Sequence, residues 1–143
     1  GKEFDIAPES IDAYVIGEHG DSQCVAWSQT SIGGTPIKEL KIDRDKLTEF
    51  AQKTKKEAYA IIEKKCATYY GIAACVTDLC EAVMFDQKRI MPVSNYMPEF
   101  EVCLSIPVVI GNQGVERNIV TNLSDQEQSC IQKSAEKLKK ISL

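Results

Sequence analysis

The sequence predicts an α+β domain, with mixed or antiparallel strands packed against long helices, and three observations predict it. Short strand-like runs occupy the first third. Two long stretches with apolar residues at helical spacing follow. A strictly alternating run, a glycine-rich turn and a capped helix then close the chain. Strands first, then two helices, then a hairpin and a helix make an α+β domain. At 143 residues the chain suits one domain, 1–143, with a core of its own.

Residues 1–10 are polar and irregular, and Pro8-Glu9-Ser10 marks entry to a strand over 11–16. Along that strand Ile11, Ala13 and Val15 point one way and Asp12, Tyr14 and Ile16 the other. A second strand is predicted over 24–31, ended by the turn cluster Ser31-Ile32-Gly33-Gly34-Thr35-Pro36. Asp43 or Asp45 can cap a helix running to about Lys65. Its apolar stripe is Leu47, Phe50, Ala51, Thr54, Ala58, Ile61 and Ile62; Lys53, Lys56, Glu57, Lys64 and Lys65 form a solvated opposite face, with Tyr59 on the surface.

A second helix, 70–85, turns Ile72, Ala73, Val76, Leu79, Cys80, Val83 and Met84 inward. Between the two lies Cys66-Ala67-Thr68-Tyr69. A break there frees backbone groups and turns side chains into a cavity; the plain alternative is one helix running straight through. A strand over 88–96 carries Pro92 at an edge or bulge. Phe100, Val102, Leu104, Ile106, Val108 and Ile110 alternate as a half-buried strand, Gly111-Asn112-Gln113-Gly114 turns it, and the return runs over 115–120. Ser124 and Glu127 have capping-box spacing ahead of a closing helix with Ile131, Ala135, Leu138 and Ile141 inward.

Composition excludes several classes. A net charge of −4 argues against nucleic acid or an anionic membrane as partner, and no apolar run approaches the ~20 residues of a membrane span. The chain opens Gly-Lys-Glu-Phe-Asp, with neither an initiator Met nor a signal peptide, as an excised piece would. Six cysteines contain no Cys-x-x-Cys pair, and one histidine cannot complete a Cys/His zinc cluster, so no metal site is expected. The thiols are expected to be reduced, in a cytoplasmic protein; the Asn122-Leu123-Ser124 sequon then carries no meaning.

The chemistry concentrates at Ile16-Gly17-Glu18-His19-Gly20-Asp21-Ser22, which holds the only histidine in the sequence, between two glycines. Histidine changes charge near neutral pH, and glycine lets the backbone turn and another group approach. The segment reads as a strand end presenting one imidazole; a surface turn with an incidental histidine is the plain alternative. His19, Asp21 and Ser22 are too close in sequence to converge as a hydrolytic triad, and no Gly-x-Ser-x-Gly elbow exists. His19 and Asp21 offer too few metal ligands. Proton transfer remains: the imidazole can give its proton to a carbonyl oxygen as hydride reaches carbon, and take it back in reverse. No Gly-x-Gly-x-x-Gly unit for a nicotinamide cofactor is present.

The run Tyr14 to Ser22 closely resembles the catalytic segment of the L-lactate dehydrogenase family, which includes lactate-dehydrogenase-like malate dehydrogenases. The similarity continues through Trp27-Ser28, Ala67-Thr68-Tyr69-Tyr70-Gly71-Ile72-Ala73, Pro92-Val93-Ser94, Ile106-Pro107 and Leu123-Ser124. It covers the chain almost end to end but only the carboxy-terminal half of the family, so the chain looks like the substrate-binding, catalytic domain, without the preceding NAD-binding Rossmann domain. The resemblance implies a lactate dehydrogenase C-terminal-domain-like fold. It implies His19 as catalytic acid/base, Thr68 lining the substrate pocket and Ile72 touching the nicotinamide of NAD. It puts the carbonyl-polarising arginine, the aspartate that orients the histidine and the substrate-clamping arginine upstream of Gly1. Pyruvate and L-lactate are the implied small 2-oxo/2-hydroxy acid couple, and Thr68 favours them over oxaloacetate and malate. The full-length enzyme is implied to be a homo-oligomer, a tetramer; this chain alone is expected to be inactive, and a noncatalytic oligomerising module is the alternative from another class. Members activated by fructose 1,6-bisphosphate resemble one another in a histidine seven residues before the catalytic one. Asp12 stands there in this chain, so activation is not expected.

Overall fold

The computed structural model describes residues 1–119 and 122–141, and it is an α+β fold built on one central strand. Eight strands are β1 (Ile11–Asp12), β2 (Val15–Ile16), β3 (Cys24–Val25), β4 (Ser31–Ile32), β5 (Thr35–Pro36), β6 (Arg89–Met97), β7 (Val102–Gly111) and β8 (Gly114–Asn118). Three helices are α1 (Arg44–Lys65), α2 (Tyr69–Met84) and α3 (Asp125–Ile141). All strand pairing is antiparallel: β1-β4-β5, β2-β3 and β6-β7-β8.

β7 is the organising element because it is paired on both sides. Its first half alternates buried and exposed residues as the sequence predicts; from Ile106 to Gly111 both faces are buried. Leu104 and Val108 are wholly removed from water, each contributing roughly 1.5–3 kcal/mol. Ile16, Ala82, Ile131 and Ala135 join them, so β2, α2 and α3 share this core. Pro92 lies in β6, an outer strand of its sheet, where a missing N–H is tolerated.

Several predicted elements change in detail. The run 11–16 divides into β1 and β2, because Ile11 and Asp12 pair with β4 while Val15 and Ile16 pair with β3. The run 24–31 holds only β3, a 3-10 turn at Trp27–Gln29 and the start of β4; Gly33 and Gly34, both at positive φ, turn β4 back into β5. Asp43 caps α1 through the Asp45 N–H at 3.1 Å. The helix breaks where expected, with Cys66 left-handed at φ 63°, and α2 begins at Tyr69.

The stripe assigned to α2 is inward only in part, at Leu79 and Val83, which pack against the core. Ile72, Val76 and Met84 are exposed, and Ala82 is the only buried residue of the helix, since only its second half reaches the core. Ile141 is exposed as well, one turn beyond the part of α3 that packs. The β8 return is described to Ile119; Val120 lies outside the described residues.

The thiol expectation needs correction. Cys24 and Cys130 are joined as a disulfide, while Cys66, Cys75, Cys80 and Cys103 are free. β3 and α3 pack together, which brings residues 106 apart in sequence to a Cα separation of 6.6 Å. No spacing rule connects the two positions, so the sequence carried no sign of the pair.

Candidate active site

His19 sits in the loop 17–23, between β2 and β3. Gly17 opens it at φ +97° and binds β7 through Gly17 N–H to Ser105 O and Ser105 N–H to Gly17 O, each 2.9 Å. A Cβ on Gly17 would lie 2.6 Å from Ser134 Oγ, so conformation and space both demand glycine. Within the loop, Gly20 N–H donates to Glu18 O at 2.9 Å and Gln23 N–H to Gly20 O at 3.2 Å. The imidazole is exposed, and among the described residues it has no hydrogen-bond partner.

The loop is held from α3. The Glu18 carboxylate receives the Ser22 hydroxyl on one oxygen and lies 2.8 Å from Lys137 Nζ on the other. Hydrogen bonding from Lys137 first, and from Ser22 second, holds the Glu18 carboxyl below its ordinary range, and Glu18 raises Lys137 in return. Ser134 Oγ lies 3.0 Å from both the carbonyl and the hydroxyl oxygen of Ser22. The Ser22 proton goes to Glu18 and the single Ser134 proton to the Ser22 carbonyl, so the two hydroxyl oxygens lie in contact without a proton between them. From α1, Lys55 Nζ donates to the Asp21 carbonyl.

Two turns before Ser134 on α3, Glu127 forms the predicted capping box. Ser124 N–H donates to its Oε2 at 2.8 Å, and Glu127 N–H to Ser124 Oγ at 3.4 Å. The same carboxylate takes Ser28 N–H at 2.9 Å and Ser28 Oγ–H at 2.5 Å. Burial opposes its ionisation, but the Ser28 and Ser124 donors outweigh burial and hold its pKa below the usual value.

Thr68 caps α2, partly buried, and Ile72 lies in the first turn, 53% exposed; Ile72 N–H donates to Thr68 O at 3.3 Å. Four residues apart, they share one helix face. No hydrogen bond or ion pair joins that face to His19 among the described residues. A cleft of about 390 Å³ behind β2 and another of about 630 Å³ against α1 are lined by neither His19 nor Thr68 nor Ile72. The imidazole and Ile72 are both exposed.

An exposed imidazole on a held loop can exchange a proton with a bound molecule. The Ser22 hydroxyl is committed to Glu18 rather than to His19, which leaves no nucleophile–base pair. Among the described residues no group of three His, Cys, Asp or Glu side chains could hold a metal ion. Glu18 is turned to α3, so no carboxylate of the described chain orients the ring. The sequence singled out His19 but missed Ser134, Lys137 and the Cys24–Cys130 pair. One sign was available: Glu127 and Ser134 are polar residues at helical spacing on the stripe of Ile131 and Leu138, where a polar group needs a partner.

A family model described as "lactate/malate dehydrogenase, alpha/beta C-terminal domain" matches residues 1–142. An L-lactate dehydrogenase of Pediococcus acidilactici is 39% identical over 99% of this chain and 46% of its own length. One from Geobacillus thermodenitrificans (strain NG80-2) is 40% identical over 99% of this chain and 47% of its own. The crystal structure of the minor L-lactate dehydrogenase from Enterococcus mundtii superposes with a TM-score of 0.93 at 34% identity, covering 98% of this chain and 48% of that one. The chain spans about half the length of the relatives it matches.

Proposed function

The chain belongs to the lactate/malate dehydrogenase α/β C-terminal domain family, and from that premise we propose that it is the substrate half of an NAD-dependent L-lactate dehydrogenase interconverting pyruvate and L-lactate. The observation that carries the proposal is an exposed imidazole, unpartnered among the described residues, on a loop fixed from β7, α1 and α3. His19 gives a proton to the carbonyl oxygen of pyruvate and takes it back from the hydroxyl of lactate. Thr68 lines the substrate pocket. NADH, when bound, supplies the hydride. Ile72 fits such a group, since an apolar side chain left half in water on the first turn of α2 offers its face to a nicotinamide ring. Glu18, Ser22 and Ser134 hold the loop, so the imidazole is presented from a fixed stretch of backbone.

Two groups are still required beside the fixed loop: a carboxylate to hold the ring's tautomer and an arginine to hold the substrate. We place both on polypeptide upstream of Gly1, in a nucleotide-binding half that also covers α2. The complete protein is a cytoplasmic homotetramer in this reading. The experiment is NADH oxidation with pyruvate, on this chain alone and on a polypeptide extended upstream of Gly1. The short chain shows no turnover. The extended one turns over, and His19→Ala lowers its kcat roughly 100- to 10,000-fold. Undiminished turnover in His19→Ala sinks the assignment, and faster reduction of oxaloacetate than pyruvate moves it to a malate dehydrogenase.

A further inference from the structure

We propose that Cys24 and Cys130 form a reversible redox latch between α3 and the strand that leaves the His19 loop. The pair is set apart from the other thiols: both residues are partly buried and face each other, whereas the four free cysteines are exposed. Their Cα separation of 6.6 Å lies within the range a disulfide spans without backbone movement.

The geometry serves the open state as well as the closed one. Cys130 Sγ lies 3.2 Å from the carbonyl oxygen of Ser22, an acceptor for its S–H when the pair is reduced. Ser134 Oγ donates to the same oxygen at 3.0 Å, so that carbonyl keeps a partner after Cys130 loses its proton. Opening and closing therefore strand no polar group.

The oxidant is a low-molecular-weight disulfide. The thiolate of one cysteine attacks it, forming a mixed disulfide and releasing one thiol; the second cysteine attacks the mixed disulfide and releases the other. Two protein thiols lose two protons and two electrons, and the small disulfide becomes two thiols. A dithiol reverses the sequence.

The bridge acts where the loop is already held. Ser134 and Lys137 of α3 bind Ser22 and Glu18, and Cys130 on the same helix adds a covalent tie to Cys24, at the loop's far end. Oxidation fixes the loop against α3, and reduction leaves it on hydrogen bonds and one ion pair. That this controls catalysis rests on the proposed role of His19; the latch itself does not.

The test equilibrates the 143-residue chain with oxidised glutathione or dithiothreitol, alkylates the free thiols, and maps them by mass spectrometry. Oxidised, Cys24 and Cys130 are recovered as one linked peptide; reduced, all six cysteines are alkylated. Amide exchange over 17–23 slows on the order of tenfold in the oxidised protein, and the thermal midpoint rises roughly 5–15 °C. Cys130→Ser, which keeps a donor for Ser22 O, behaves as the reduced protein under both conditions; Cys24→Ser repeats the result independently. Alkylation of both cysteines in oxidised glutathione overturns the latch, as does a bridge that leaves exchange over 17–23 unchanged. Latch behaviour without pyruvate turnover in the extended polypeptide removes the dehydrogenase reading alone. Turnover with a redox-indifferent loop removes the latch alone.

Discussion

Glu127 shows how a single side chain fastens two distant segments. Its carboxylate is buried, yet the Ser28 and Ser124 donors depress its pKa despite the opposing effect of burial. A depressed folded pKa means that the stabilisation is fully present above the unfolded value, near 4.5, and is lost as pH falls through the folded one. Glu127→Gln leaves Ser28 with a weaker acceptor and removes the charge at the start of α3; it is expected to cost about 2 kcal/mol at neutral pH. Thermal midpoints measured from pH 7 down to pH 3 should fall less steeply for the variant, with Glu18 supplying the slope that remains. Parallel curves for the two proteins contradict the assignment. At this scale the sequence was informative where chemistry is rare, as at the lone His19. It marked Ser134 only as a polar residue on an apolar stripe; what that residue meets appears when the fold sets it beneath Gly17.

Among the elements, α2 departs furthest from what its pattern predicts. Periodicity reports that a helix has an apolar face; it does not report what covers that face. Ile72, Val76 and Met84 are on the predicted stripe and are left in water, with Tyr69, Tyr70 and Phe85 exposed beside them. Contiguous apolar surface of this kind marks an interface. The 143-residue chain is therefore expected to self-associate, and Val76→Lys with Met84→Lys to shift it to monomer without lowering the thermal midpoint appreciably, since neither side chain is buried. Sedimentation velocity over a concentration series reads this directly; a wild-type chain that stays monomeric throughout contradicts it. The capping box of α3, the cap of α1 and the β7–β8 turn were legible because each depends on neighbours a few residues apart. The division of 11–16 was not, because the two halves of that run choose partners elsewhere in the chain.

On the scale of the whole molecule, the α+β order of elements was readable from composition and period, and the assembly of the site was not. The loop that carries His19 is completed by α3, more than a hundred residues later, through contacts that no local pattern encodes. Asp12, exposed on β1, accepts a hydrogen bond from Ser31 Oγ at 3.0 Å, and a carboxylate there would repel a bisphosphate. We propose that fructose 1,6-bisphosphate leaves the pyruvate KM of the extended polypeptide within about twofold, as this repulsion requires; a several-fold fall on titrating the sugar phosphate contradicts it.

The dependence of the loop on α3 also bears on how the protein can be handled or damaged. A stop codon, a protease cut or a bulky fusion just after Ser124 would leave every residue from Gly1 to β8 in the sequence, His19 included. It would nevertheless strip away Glu127, Cys130, Ser134 and Lys137 together. Such a lesion at the carboxyl end undoes the support of the His19 loop from the opposite extremity of the polypeptide.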